Sequence, residues 1–300
     1  MRHVKLILGF SIAFLGICSC QKIEVEAPIF NVGAKAQTWK VGDSVKFEFI
    51  GNADVISFYS GQQGNNYDSI HPRVGEAKYS LEFNSRMNVN GQNNLSVMVS
   101  TNYNEVKTFD AAEASTWKDI TSRFTLPGLS TTYLHSGKAD ITDLVIDKQP
   151  LYVAFRYAGK SAQPVATWQV NGMLLKQTTY QKDTAILTSA LAAWSLLYSP
   201  VYESSGMAAT TSLLTLKGNT NNKNTDVTGW AIARVVYPIK RVALKSDVAV
   251  GIKSYSGRMP NAYAIKYKSP GNYKAVFVAK NVHSGYIKET KKEIEIKIAP

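Results

Sequence analysis

The sequence predicts an all-β fold made of two sandwiches, one of them interrupted by the other. Three observations point there. Apolar and polar residues alternate in many short runs, turns rich in glycine and proline separate those runs, and the earliest strands find no partners until the far end of the chain. A composition that is 45% hydrophobic and 19% charged over 300 residues is that of a folded chain long enough for two domains.

The stretch from Lys40 to Tyr67 sets the layout. Val45, Phe47 and Phe49 alternate with Lys46 and Glu48, so one strand face is apolar and the other is wet. Val55 to Tyr59 follow a Gly-Asn turn and end in a loop punctuated by Gly61 and Gly64. Two or three strands cannot bury a core alone. The missing partners match the last segment, where Tyr263 to Lys268, a Pro270-Gly271 turn, and Tyr273 to Lys280 precede a final strand carrying Ile294, Ile296 and Ile298 on one side. Residues 30–75 plus 238–300 therefore read as one discontinuous sandwich of Ig-like size, with Phe47 and Phe277 in a common interior. Residues 76–237 read as an insertion at a loop, which a fold tolerates when the two ends lie close together.

Within the insertion, Leu95, Val97 and Val99 alternate with Ser96, Met98 and Ser100. Leu151, Val153, Phe155 and Tyr157 alternate with Tyr152, Ala154 and Arg156. Wide, turn-rich connections such as Leu126 to Leu129 and Ser136 to Asp140 lie between them, a spacing that suits a jelly roll. Thr184 to Tyr198 fits two periods: Ile186, Ala190, Trp194 and Leu197 fall near one helical face, while Leu187, Ser189, Leu191 and Ala193 alternate.

The N-terminus has Arg2, His3 and Lys5, an apolar run from Leu6 to Ile17, and then Cys18-Ser19-Cys20. The run is too short to span a bilayer and suits the core of a signal peptide. Its end resembles a bacterial lipobox, which makes residues 1–19 a signal peptide, Cys20 the lipidated residue and residues 20–29 a tether. Cleavage there leaves one cysteine, occupied by lipid, so stability comes from packing without a disulfide. Attachment by more than one acyl chain holds a protein at a membrane surface without crossing it.

The net charge is +12, and residues 238–300 carry thirteen Lys/Arg against four Asp/Glu. These lysines alternate with apolar residues, as on a solvated sheet face, and the export signal excludes nucleic acid as a partner.

The chemical inventory is thin. Of four histidines, His71, His135 and His283 read as turn or loop residues without metal-type spacing, and no nucleophile elbow, phosphate loop or dinucleotide fingerprint occurs. Asp110 with Glu113, or Asp140 with Asp143, supplies the carboxylate pair a glycosidase requires, although acids in loops are usually solvated. The expectation is a non-catalytic protein with no cofactor and no metal site. Sugar binding asks for less: an exposed ring, with amides or acids beside it. Trp117, Trp168 and Trp230 read as core, whereas Trp194, Tyr198 and Tyr202, in the irregular segment before Glu203-Ser-Ser-Gly, form the expected stacking platform.

Several stretches carry family resemblances. Leu95 to Tyr103, Ser115 to Thr121, Ser136 to Thr142, Leu151 to Tyr157 and Thr167 to Asn171 resemble the jelly-roll modules called choice-of-anchor or cleaved-adhesin domains. That resemblance implies a structural calcium in the loop after the first strand, where this chain has Asn102 instead of an acid, which lowers affinity. Tyr263 to Asn281 resembles the tail of polycystic-kidney-disease (PKD) type Ig-like modules. The lipobox, Gly51 to Gly61 and Pro270 to Asn281 together resemble a family of Bacteroidetes outer-surface lipoproteins encoded beside SusC-like and SusD-like glycan importers. The resemblance implies an outer-membrane, lipid-anchored accessory that captures polysaccharide or oligosaccharide for such an importer. An adhesin or structural protein that binds another protein is the second expectation, and a glycoside-processing enzyme the third.

Overall fold

The computed structural model describes residues 24–88, 94–221 and 224–300. The predicted signal peptide and Cys20 lie outside the described residues. The chain divides into two units, one taking the described residues up to Tyr67 together with Val248–Pro300, the other Asp68–Asp247.

The first unit opens with β1 (Phe30–Ala34), β2 (Thr38–Lys40), β3 (Ser44–Gly51) and β4 (Val55–Tyr59). The second follows with β5 (Arg73–Glu76), β6 (Lys78–Met87), β7 (Leu95–Ser100), the short helix α1 (Phe109–Ala114), β8 (Lys118–Asp119), β9 (Leu134–Asp140) and β10 (Tyr152–Gly159). It continues with β11 (Thr167–Thr178), β12 (Asp183–Thr188), β13 (Ser195–Tyr198), β14 (Met207–Ala209), β15 (Leu213–Lys217), β16 (Val227–Ile232) and β17 (Arg241–Leu244). The chain returns to the first unit through β18 (Val250–Lys253), β19 (Ala262–Lys266), β20 (Gly271–His283) and β21 (Tyr286–Ala299). The fold is all-β, and among the described residues no helix is long and apolar enough to cross a membrane.

In the discontinuous unit a three-stranded sheet, β1-β3-β19, contributes to the same core as a five-stranded sheet, β18-β4-β20-β21-β2. Among the described strands of this unit, β2 against β21 is the parallel pair and the others are antiparallel. Phe47 from β3, Phe58 from β4 and Phe277 from β20 are all fully buried, and the Phe277 ring lies 5.0 Å from Phe47 and 4.7 Å from Phe58. Both extremities of the described chain thus build one interior. Neither could do so alone, because each supplies one to three strands to either sheet. The β20–β21 hairpin turns through Ser284 and Gly285 at φ 46° and 84°, the two left-handed positions of a type I′ turn.

The inserted unit has a five-stranded sheet, β13-β16-β10-β7-β8, and a six-stranded array in which β14-β15-β11-β6-β9 is joined by β12 on β11. Phe83, Phe155, Tyr157 and Trp168 fill the core that the two sheets share, each with at most 1% of its surface exposed. Thr184 to Tyr198 keeps neither period throughout: it forms β12, a 3₁₀ turn at Ser189–Leu191 that breaks the alternation, then β13, with Leu187 buried and Leu191 exposed.

The boundaries fall at 67/68 and 247/248, outside the expected 75/76 and 237/238. The cause is that β5 and β17 pair with each other while Val242 packs against the inserted unit's core and the Lys245 carbonyl accepts from Gln181, which gives both strands to that unit. Asp247 belongs with them, since it accepts a hydrogen bond from Tyr180 at 3.0 Å and lies 3.7 Å from Arg73. His135 stands within β9 and His283 ends β20, so neither is the loop residue expected.

Candidate functional site

Strand alternation in β6 places Tyr79, Leu81, Phe83, Ser85 and Met87 in the interior. Ser80, Glu82, Asn84 and Arg86 then face outward, all half-buried. Neighbouring strands continue this polar face in register: Gln169 and Asn171 on β11 stand opposite Arg86 and Asn84, and Lys138 and His135 on β9 stand opposite Glu82 and Asn84. The outer face of the six-stranded array is therefore a ladder of planar amides, a guanidinium and a carboxylate.

Arg86 is held firmly. Its Nε donates to Gln169 Oε1 at 2.6 Å, one terminal nitrogen donates to the Thr131 carbonyl at 2.8 Å, and the guanidinium lies 4.6 Å from the centroid of the Tyr133 ring. Tyr133 in turn donates to Gln169 Oε1 at 3.4 Å, and Asn84 Nδ2 donates to Asn171 Oδ1 at 3.0 Å. A guanidinium carries five N–H groups, so these bonds leave donor capacity on Arg86, and the Gln169 amide nitrogen also remains to serve a ligand. A cleft of about 380 Å³ opens beside them, lined by Arg86, Asn88, Leu129, Ser130, Thr131, Thr167 and Gln169. A second depression of about 240 Å³, lined by Lys78, Tyr79, Ser80, Lys138, Asp140 and Thr178, lies at the other end of β6. Pre-oriented planar donors and acceptors with an aromatic ring at the edge suit hydroxyl-rich ligands, because each hydroxyl both donates and accepts.

The outer face of the five-stranded sheet is built differently. Trp117 and Trp230 stack with centroids 4.8 Å apart, and Tyr103 and Tyr152 pack edge to face at 5.2 Å. Their polar atoms are used internally: Trp117 Nε1 donates to the Ala112 carbonyl, Trp230 Nε1 to Glu113 Oε1 at 2.6 Å, and Tyr152 Oη to Glu105 Oε1 at 2.9 Å. Burial, reinforced by Glu105, raises the Tyr152 phenol far above its ordinary range. This cluster fastens α1 and its flanking loop onto the sheet. Beside it a cleft of about 220 Å³ is rimmed by Lys107 and Arg234.

The family model for a domain of unknown function, DUF5017, matches residues 19–194. The chain belongs to this family. No curated protein and no solved structure matches it. The DUF5017 match runs from the segment before β1 through β12, so it takes in the first strands of the discontinuous unit and, in the inserted unit, both β6 and β11 of the polar face.

Of the three residues expected to form a stacking platform, Tyr198 and Tyr202 lie together with ring centroids 5.7 Å apart, but the three do not form one exposed face. Tyr202 is 5% exposed, packs 6.3 Å from Tyr157, and donates its hydroxyl to the Lys217 carbonyl at 2.5 Å. Trp194 is half-buried against the same core, 5.8 Å from Phe155. Only Tyr198, at 37% exposure, offers a ring to solvent. The reason is local: Trp194 precedes β13 and Tyr202 follows it, and both turn inward to close the end of the sandwich. Cys20 lies outside the described residues.

Three of the four carboxylates offered for catalysis, Asp140, Asp143 and Glu113, are engaged elsewhere. Asp143 takes a bidentate pair of bonds from Arg123 at 2.7 Å each, which holds its carboxyl below the usual range. Asp140 accepts from the Thr142 backbone N–H at 2.8 Å, and bonding to Thr142 likewise lowers its carboxyl. Glu113 serves Trp230 and lies 3.6 Å from Arg156, while Asp110 is exposed in the first turn of α1. Among the described residues no group of three or more His, Cys, Asp or Glu could hold a metal ion. Asn102, in the loop compared with a calcium site, accepts through its side-chain oxygen from Ser100 Oγ and the Thr116 N–H, both at 3.0 Å.

Proposed function

We propose that this DUF5017 protein is a non-catalytic, lipid-anchored protein of the outer bacterial surface that binds polysaccharide or oligosaccharide and serves a SusC/SusD-like importer. The observation that carries the glycan reading is the ladder of Glu82, Asn84, Arg86, Gln169 and Asn171 beside Tyr133, half-buried and held in register on an open sheet face. Such groups pay their ordering entropy on folding and not on binding, which favours a flexible, hydroxyl-rich ligand. The strand orders support the finer fold reading of a PKD-type Ig-like unit carrying a jelly roll.

Native gels loaded with a panel of surface and storage polysaccharides test this. Retardation by a glycan, lost in Arg86→Ala and Gln169→Ala and kept in Trp194→Phe, is the expected result. Retardation by none of them, or retardation indifferent to Arg86 and Gln169, removes the assignment. Release of reducing sugar by the purified protein would place it among enzymes.

One patch favours the adhesin reading. Ile146, Tyr237 and Ile239 are 55%, 61% and 46% exposed. They are brought together by the bonds from Lys148 N–H to the Pro238 carbonyl and from Lys240 N–H to Asp147. An apolar group of this kind suits a protein partner.

A further inference from the structure

The segment leading to Cys20 is pinned along the β20–β21 hairpin, and the pins give it a direction. Thr290 Oγ1 donates to the Pro28 carbonyl at 2.9 Å, and Asn281 Nδ2 donates to the Glu26 carbonyl at 3.1 Å. Thr290 pairs with Ala279, two residues farther from the turn than Asn281, which pairs with Lys288. Traced toward its N-terminus, the segment therefore runs toward the hairpin turn. A depression of about 440 Å³ continues the course, with Val25, Glu26, Tyr255 and His283 in its lining.

The end it runs to is unusually apolar for an exposed surface. Tyr255 is 64% exposed, Tyr286 59% and Ile287 56%, with Lys288 exposed next to Ile287. Tyrosine and isoleucine flanked by long cations are the side chains that settle at a membrane interface, with the ring at headgroup level and the charge in water. The chain crosses to and from the inserted unit at the other end of these strands, beyond Tyr59 and before Val250.

Distance agrees. Six residues separate Cys20 from Glu26, a reach of at most about 20 Å when fully extended. Four residues separate Asn281 from Gly285, about 13 Å of strand in the same direction. An acylated Cys20 therefore has enough chain for the turn to reach the lipid surface.

We infer that the hairpin turn, through Tyr286 and Ile287 with Tyr255 beside it, is a lipid-contacting edge that seats the discontinuous unit on the membrane. This rests on the reading that Cys20 is acylated. The test uses full-length Ile287→Cys and Ser269→Cys variants, the second at the exposed opposite end of the β20–β21 hairpin, purified from membranes, spin-labelled and reconstituted into phosphatidylethanolamine/phosphatidylglycerol vesicles. Acylated Cys20 takes no label, and mass spectrometry reports the acyl chains directly.

The expected result is an oxygen-to-nickel accessibility ratio several-fold higher at position 287 than at position 269, in protein whose mass includes the lipid. An acylated, vesicle-bound protein whose label at 287 is as open to the aqueous nickel reagent as that at 269 overturns the inference and leaves the anchor reading standing. A mature protein lacking acyl chains overturns both.

Discussion

Replacing Phe277 by alanine should destabilise both ends of the chain together and spare the insertion. Phe277 is fully buried, with the rings of Phe47, Phe49 and Phe58 at 5.0, 5.5 and 4.7 Å. Truncating such a ring removes its transfer free energy and leaves a cavity between two sheets, a loss of about 3–5 kcal/mol. Against a domain stability of about 5–15 kcal/mol this is a large share. It corresponds to roughly two to four orders of magnitude in the exchange rate of amides that open only with global unfolding. Hydrogen exchange read by mass spectrometry gives the answer peptide by peptide. Segments 44–59 and 271–283 should lose protection by the same factor, while 152–159 in β10 keeps its own. Wild-type protection of 44–59 in the variant would refute the shared core, since β3 and β4 would then be stable without β20.

Other outcomes follow from the same geometry. Asp140 and Asp143 have lowered folded-state carboxyl values, so their contribution is full above the unfolded value near 3.8 and disappears as pH falls through the lower folded ones; urea unfolding between pH 2 and pH 6 should show a smaller acid-dependent loss in Asp143→Asn. Gly51→Ala places a Cβ 1.9 Å from the Ile29 carbonyl oxygen at φ +100° and should cost at least about 1–3 kcal/mol, read as a fall in melting temperature. Glu113→Ala leaves the Trp230 N–H without its partner at 2.6 Å and should cost about 1–3 kcal/mol, with near-ultraviolet circular dichroism reporting the loosened Trp117–Trp230 stack.

The parts of the fold that were legible rest on strong local patterns. Alternation of Val45, Phe47 and Phe49 marks a one-sided strand, and Ile294, Ile296 and Ile298 mark its distant counterpart. The boundaries were not legible because β5 and β17 are four-residue strands whose membership is decided by long-range pairing and by Val242 packing on the inserted core, which no local period records. Tyr202 misled for a related reason. A tyrosine in a polar, glycine-containing segment reads the same whether it faces solvent or fills the end of a sandwich, and only the bond to the Lys217 carbonyl distinguishes them.

The polar face was missed because Ser80, Glu82, Asn84 and Arg86 look like the ordinary wet side of a strand. The available signal was their composition. Long planar side chains recur at outward positions of β6 and again at Gln169 and Asn171, where a merely solvated face has no need of matched amides.

The central claim, that Arg86 and Gln169 bind a glycan, is tested most directly by titration calorimetry with whichever polysaccharide retards the protein. A hydrogen bond from a charged donor contributes about 1.5–3 kcal/mol, so Arg86→Ala should weaken binding about 10- to 150-fold. Arg86→Lys should recover only part of that, because an ammonium cannot reproduce the planar fork. Tyr198→Ala, on the solvent side of β13, should bind as the native protein does. Full affinity in Arg86→Ala, or lost affinity in Tyr198→Ala, would contradict the account and move the site away from the six-stranded face.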